Sequence, residues 1–211
     1  MLQLLLFITL TNAALYGVDI SQLHSVDIMK CFVSEGYTFI IPRCYRDIGS
    51  MDDNCYQNVK NAHAAGMKRV DVYFLPCFSC GNVRGQVQTF WNTVSQWDVT
   101  FERTWLDIEG GWSSSYSANQ VFFNELMNSV RSVGFVHGIY CNQYHWNLFF
   151  TLDFIYRYAS ETKLWYCHWD YEANFDQFEV VAFGGWTWPK MKQYQDTTWF
   201  CGGAVDFNYE E

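Results

Sequence analysis

Short apolar runs and amphipathic stretches take turns along this chain. LYGVDI at 15–20, then YTFIIPR, KRVDVYFLP, RTWLDIE, FVHGIYCN and KLWYCHW are strand-like, brief and rich in β-branched and aromatic residues. Between them VDIMKCFVSEG, NCYQNVKNAHAAG, VRGQVQTFWNTVSQ and NQVFFNELMNSVRSVG keep helical spacing. In the last of these Val121, Phe122, Leu126, Val130 and Val133 make one stripe and Gly134 ends it, as Gly36 and Gly66 end two earlier helices. Beyond residue 150 the helical pattern fades, and KLWYCHW, EVVAFGGW and KMKQYQD read as strands with little between them. Such alternation implies a parallel sheet with crossover helices. About five βα units followed by β-rich C-terminal strands predict a single α/β domain, an abbreviated (β/α) barrel smaller than the usual one of about 250 residues. An open doubly wound sheet is the alternative fold, but the first strand runs into Asp19 and ISQLHS rather than a phosphate-binding glycine loop.

A length of 211 residues suits one domain with a sizeable core. Residues 1–13, MLQLLLFITLTNA, form an apolar run too short to cross a bilayer, with small residues near its end; they read as a signal peptide, leaving 14–211 as the folded domain. No Lys or Arg precedes Lys30, so a buried first strand is the competing reading of this leader. No other run is a membrane candidate. Eight cysteines, an even set at 31, 44, 55, 77, 80, 141, 167 and 201, predict disulfides in an oxidising compartment and no free thiol, with connectivity left open. The chain is therefore expected to be secreted or held in an endolysosomal or phagosomal lumen. Cys77 and Cys80 could be a redox motif or half a zinc site, but no second CxxC or HxxxH accompanies them, so structural bridging is expected, with no metal and no other cofactor.

Charge narrows the partners. The net charge is −9, from 22 acids against 13 bases, and no basic run exists to neutralise phosphates, so neither nucleic acid nor a membrane is expected to bind; a monomer is expected. Aromatic residues make up 20% of the chain. Most must be core, yet Trp and Tyr also suit flat sugar rings.

The candidate chemistry lies in TWLDIEGGW, 104–112. Alternation along a strand puts Trp105, Asp107 and Glu109 on one face, with the two acids roughly 6.5 Å apart. Asp19 ends the first strand and Asp206 lies in GGAVDFN. In a barrel, chemistry sits at the C-terminal strand ends. Carboxylates gathered there are costly unless paired, hydrogen-bonded or used; each acid alone would more often be a cap or an exposed edge.

At these residues the chain resembles the glycoside hydrolase family 25 lysozymes, particularly their secreted, disulfide-bearing eukaryotic branch. The likeness runs through YGVDISQ, YTFIIPRCYRDIG, AGMKRVDVYFLPCFSCGN, WLDIEG, GIYCN, LWYCHW and KQYQDTTWFCGGAVDFN. It implies a distorted (β/α) barrel as the catalytic domain, 14–211, and cleavage of the β-1,4 bond between N-acetylmuramic acid and N-acetylglucosamine in bacterial peptidoglycan. It also implies Glu109 as proton donor, with Asp19, Asp107 and Asp206 as the surrounding acids. Glycosidic cleavage needs one neutral carboxyl and nearby negative charge; crowded acids and apolar neighbours would raise the pKa of Glu109. The family also suggests that the sugar's acetamido oxygen is the nucleophile, oriented by an Asp, with direct attack by water or an Asp as the alternative. Tyr140 and Trp169 are the first candidates for sugar contacts, followed by Tyr45, Trp112 and Trp186. Arg43 and Arg46 would pair with acids or bind substrate carboxylates.

A chitinase-like glycosidase would carry DxxDxDxE, whereas this chain has Glu102 and Trp105 at two of those aspartates. An inactive carbohydrate-binding barrel is the rival from outside the enzymes, and a thiol oxidoreductase built on CxxC is a third.

Overall fold

The computed structural model describes residues 14–211, so the leader assigned to 1–13 lies outside the described residues. In chain order the elements are β1 (Leu15–Ile20), α1 (Val26–Ser34), β2 (Phe39–Arg46), β3 (Ser50–Met51), α2 (Cys55–Ala65), β4 (Arg69–Val70), β5 (Val72–Phe74) and α3 (Val83–Val94). There follow β6 (Thr104–Asp107), α4 (Tyr116–Val133), β7 (His137–Cys141), α5 (Gln143–Phe150), β8 (Lys163–Cys167), α6 (Phe178–Val181), β9 (Met191–Phe200) and β10 (Gly203–Glu210).

Strands β1, β10, β9, β8, β7, β6, β5 and β2 are neighbours in that order, and β1 pairs with β2, so the sheet closes into an eight-stranded barrel. All its pairings are parallel except the two made by β10, which returns antiparallel between β9 and β1. That antiparallel closure replaces a last βα unit and accounts for the short chain. Outside the ring, β3 folds back on β2, while β4 extends the line of β5 and is separated from it by Asp71.

Helix ends follow local chemistry. Ser25, Ser115 and Asn142 accept hydrogen bonds from backbone N–H groups in the first turns of α1, α4 and α5. Gly66 and Gly134 end α2 and α4 in the left-handed conformation that glycine adopts without strain. One expectation for the tail needs correction. EVVAFGGW is not a strand: FEVV makes the single turn α6, and Gly184 and Gly185 then take positive φ angles that no strand tolerates. Before it QYHWNLFF, which the sequence pattern leaves unassigned, forms α5, capped by Asn142.

The barrel interior is filled by Phe39, Ile41, Trp105, Tyr140, Trp165, Cys167 and Met191, and the larger core lies between strands and helices. Gly17 and Gly138 lack side chains because the rings of Phe39 and Trp105 occupy the space a Cβ would need. Among the described residues no helix is long and apolar enough to cross a membrane.

Cys31 bridges Cys201, Cys44 bridges Cys55, and Cys77 bridges Cys80. The first ties the β9–β10 hairpin to α1. The expectation of no free thiol is overturned: Cys141 and Cys167 are buried and unbridged. Their register explains it. Cys141 lies opposite Tyr166, one residue before Cys167, so the two thiols point to opposite faces of the sheet, one toward the helices and one into the barrel.

Candidate active site

The C-terminal ends of the parallel strands define one end of the barrel, and side chains from most of the ring converge there. Asp19 comes from β1, Tyr73 from β5, Asp107 and the following Glu109 from β6, Tyr140 from β7, Trp165 and the following Trp169 from β8, and Gln193 from β9. Asp196, Thr197 and Asp206 come from the β9–β10 hairpin. They line one cavity of about 230 Å³. Because β10 runs antiparallel, Asp206 sits directly opposite Asp19. Neighbouring hollows share Asp19, Tyr73, Thr197 and Asp206 on one side and Trp169 on the other, which lengthens the cavity into a groove.

Five carboxylates line this cavity and no Lys or Arg does. Burial, and then the charge of Asp206, raises Asp19; burial, followed by the charges of Glu109 and Asp19, raises Asp107. Glu109 is raised by burial first and by Asp206 second. Asp206 is pushed up to about 6, mainly by burial. These acids therefore hold protons at pH values where ordinary carboxylates have lost them, and their coupling divides those protons unequally.

Hydrogen bonds organise the acids. Asn208 Nδ2 donates to Asp19 Oδ1 at 2.7 Å, while Asn208 Oδ1 accepts from Trp165 Nε1 at 2.8 Å. Gln193 Nε2 donates to Asp19 Oδ1 at 2.9 Å and to Asp206 Oδ2 at 3.2 Å. Asp107 Oδ1 is buried with no hydrogen-bond partner, a position that suits an incoming N–H or O–H group.

Of the residues singled out in the sequence, Asp19, Asp107, Glu109, Asp206, Tyr140 and Trp169 line the cavity. Trp169 is half exposed, as a sugar platform requires, whereas Tyr140 is buried and gives its hydroxyl proton to Gln193 Oε1 at 2.8 Å. Tyr45, Trp112 and Trp186 do not line it. Tyr45 lies past an irregularity in the β2–β5 register between Arg43 and Tyr45, which turns it into the outer core against Phe74. Trp112 packs among Phe78, Phe122, Phe149 and Phe150, and its Nε1 donates to the backbone oxygen of Glu109 at 3.2 Å, so it steadies that residue from behind. Trp186 packs on Trp146 and donates to Thr162 O. Arg43 is engaged with Asp52 at 2.7 Å and donates to Ser21 O. Sequence reasoning missed Tyr73, Trp165, Gln193, Asp196 and Thr197; the signal for Gln193 was a polar side chain at an inward position of KMKQYQD.

A family model described as lysozyme-like protein 1 matches residues 11–194. A Dictyostelium discoideum protein named probable GH family 25 lysozyme 4 is 39% identical, with 99% of this chain and 97% of that protein covered. Lysozyme-like protein 5 of Caenorhabditis elegans is 36% identical, with 98% and 96% covered. Among solved structures, a family GH25 lysozyme from Aspergillus fumigatus superposes with a TM-score of 0.75 at 16% identity, covering 94% of each chain. A bacterial lysozyme from Streptomyces coelicolor gives 0.73 at 19% identity, covering 94% of this chain and 92% of that one. At such identities the two structures speak to the barrel alone.

Proposed function

The chain belongs to the lysozyme-like proteins of glycoside hydrolase family 25, and from that membership we propose an N-acetylmuramidase that cuts the β-1,4 bond between N-acetylmuramic acid and N-acetylglucosamine in bacterial peptidoglycan. The observation that carries this proposal is the convergence of Asp19, Asp107, Glu109 and Asp206 on one groove beside an exposed tryptophan. Glycoside hydrolysis needs that combination: a neutral acid for the leaving oxygen, negative charge for the oxocarbenium-like sugar, and a flat surface for the ring.

Glu109 gives its proton to the glycosidic oxygen. It is the most accessible of the three acids raised within the β1–β6 cluster, being only partly covered where Asp19 and Asp107 are buried. Asp206, and through it Asp19, supplies the negative charge. Asp107, with Oδ1 unpartnered, accepts the N–H of the 2-acetamido group and turns the acetamido oxygen toward the anomeric carbon. Activity falls as pH rises through the raised pKa of Glu109, and falls on the acid side as the Asp19–Asp206 pair takes up protons. Secretion through the 1–13 leader is part of the same proposal, supported by three disulfides that favour an oxidising compartment.

The test is digestion of purified peptidoglycan with identification of the new reducing sugar. Muramic acid is the expected result. Glucosamine at that end would indicate a different glycosidase, and binding without release would indicate a carbohydrate-binding barrel.

A further inference from the structure

Gln193 is buried at 3% exposure in the floor of the groove, and its amide makes four hydrogen bonds to four side chains that line it. Oε1 accepts from Tyr140 Oη at 2.8 Å and from Trp169 Nε1 at 3.0 Å. Nε2 donates to Asp19 at 2.9 Å and to Asp206 at 3.2 Å. The orientation of the amide follows from chemistry. An indole N–H only donates and an ionised carboxylate only accepts, so the oxygen must face Trp169 and the NH₂ group must face the acids.

Two like-charged side chains placed directly opposite each other on paired strands repel. Asp19 and Asp206 hold that arrangement, and Gln193 from the adjoining strand places one N–H on each. We propose that Gln193 is a positioning residue that couples the sugar-contacting indole of Trp169 to the ionisation of the Asp19–Asp206 pair. A ring stacked on Trp169 steadies the indole, the indole holds the amide oxygen, and the amide then keeps both N–H groups on the two acids. Binding of sugar and the negative charge needed to cleave it are thereby linked through one side chain.

The other groups facing this pair are Tyr73 from β5, Asp107 and Glu109 from β6, Tyr140 from β7, Cys167 from β8 and Asp196 from the hairpin. All are neutral or negative. Arg43 from β2 is a positive charge felt at Tyr73 and Asp107, although it is engaged with Asp52. Against that background, the amides of Asn208 and Gln193 favour the ionised form of Asp19, and contacts with Asp19 and Thr197 favour that of Asp206, so losing the Gln193 N–H groups moves the pair's protonation to higher pH.

The inference rests on the muramidase proposal, and the experiment separates the two. Release of reducing sugar from peptidoglycan is followed across pH for the wild type, Gln193→Met and Trp169→Phe, with thermal unfolding of each. In Gln193→Met the acid limb of the pH profile should move up by about one unit, with kcat down about tenfold or more. Trp169→Phe keeps an aromatic ring at a half-exposed position and removes only the N–H, so it should fold even if Gln193→Met does not. Coupling predicts that its acid limb moves the same way by a smaller amount, together with a severalfold rise in KM. Acid limbs that superimpose on wild type in Trp169→Phe, with only KM altered, would overturn the coupling and leave Trp169 a plain platform. Superimposed profiles in a folded Gln193→Met would likewise reduce Gln193 to packing. A wild type that releases no muramic acid would instead defeat the muramidase proposal.

Discussion

At the lower end of the barrel, Glu210 meets both terminal nitrogens of the Arg69 guanidinium at 3.0 and 2.7 Å and Lys190 Nζ at 2.8 Å. At the upper end, Asp19, Asp107, Glu109 and Asp206 share a cavity whose lining holds no Lys or Arg. Both ends bury acids, with β10 contributing one to each, and burial works against charge in both. Below, burial would raise Glu210, but Arg69 and Lys190 outweigh it and hold its carboxyl below the usual range. The lower neighbour Asp71 accepts from Trp105 Nε1 and lies 3.5 Å from Arg69 Nε; burial still raises it. Above, nothing offsets burial fully, and every acid of the cluster moves up. The difference teaches where folding has been served and where it has been resisted: paired charge closes the bottom of the barrel, and unpaired charge is kept at the top, where strain of this kind is retained for function.

The largest effects should separate the two ends cleanly. Glu109→Gln keeps the side chain's size and removes its proton, so peptidoglycan cleavage should fall about 10²- to 10⁴-fold, the usual worth of general acid catalysis. Its melting temperature should not fall, because like-charge repulsion is relieved. Glu210→Ala should do the reverse. Stripping one partner from a buried pair costs about 3–5 kcal/mol, so the melting temperature should drop sharply while turnover per folded molecule persists. A Glu109→Gln variant with full activity would remove the proton-donor assignment, and a Glu210→Ala variant as stable as wild type would break the contrast.

The pH dependence of stability should be of opposite sign at the two ends. Asp206 is raised from an unfolded value of about 3.9 to about 6, so its contribution is fully present below about pH 4 and is lost as pH rises through about 6. Glu210 is lowered, so its contribution is present above its unfolded value of about 4.3 and is lost as pH falls through its folded value. Asp206→Asn should therefore flatten the decline in melting temperature between pH 4 and 7, and Glu210→Gln should flatten the decline on the acid side. Calorimetric scans at a series of pH values check both. Identical pH dependence in the two variants would mean that the acids do not differ as their partners imply.

Another buried ion pair, behind the groove, carries a smaller expectation. Lys192 is fully buried on β9, and its Nζ meets both oxygens of Asp170 at 2.7 Å and the carbonyl of Glu172 at 2.9 Å. Asp170 follows Trp169, so this pair anchors the platform's loop. Asp170→Asn leaves Lys192 an amide oxygen but no charge partner, so it should lower the melting temperature clearly, and it should raise KM for peptidoglycan more than it lowers kcat. An unchanged KM would mean that Trp169 keeps its place without the anchor.

Sequence pattern exposed the upper end better than the lower. Asp19, Asp107 and Asp206 were legible because each ends or follows a strand-like run in an all-apolar setting, and the strand period carries Glu109 to the same side as Asp107. The helices were legible where an apolar stripe met a terminating glycine, as at Gly66 and Gly134. What escaped depends on parity and on long-range closure. One irregularity in β2 reverses the face of Tyr45, which no count of alternating residues foresees. Trp169 stands ahead of Trp112 and Trp186 from its place after the sixth strand, but only the fold decides that it reaches solvent while the other two pack in the core. Arg69 and Glu210 are separated by 141 positions, so their pairing becomes visible only when β10 closes the ring against β1.

The smallest effect offers a gauge of the upper end's charge. Cys167 lies at the rim of the barrel interior, 8% exposed, and its thiol is pushed up to about 12, mainly by burial but also by the charges of Glu109 and Asp19. Cys141 is fully buried behind the sheet. Denatured, unreduced protein should yield two thiols and the native protein almost none. Slow alkylation of native Cys167 by a neutral reagent depends on the small fraction of thiolate, which rises when a nearby negative charge is removed. Glu109→Gln should therefore speed that alkylation by about two- to fivefold, within the range expected when one neighbouring charge is removed and burial stays. Glu210→Gln, at the other end of the barrel, should leave the rate of Cys167 unchanged, and Cys141 serves as the unreactive control in the same digest. Equal acceleration by both substitutions would mean that the thiol reports general loosening rather than charge. No acceleration in Glu109→Gln would mean that the upper acids are too well screened to be felt across the groove, which would weaken the case that unpaired charge is what distinguishes that end.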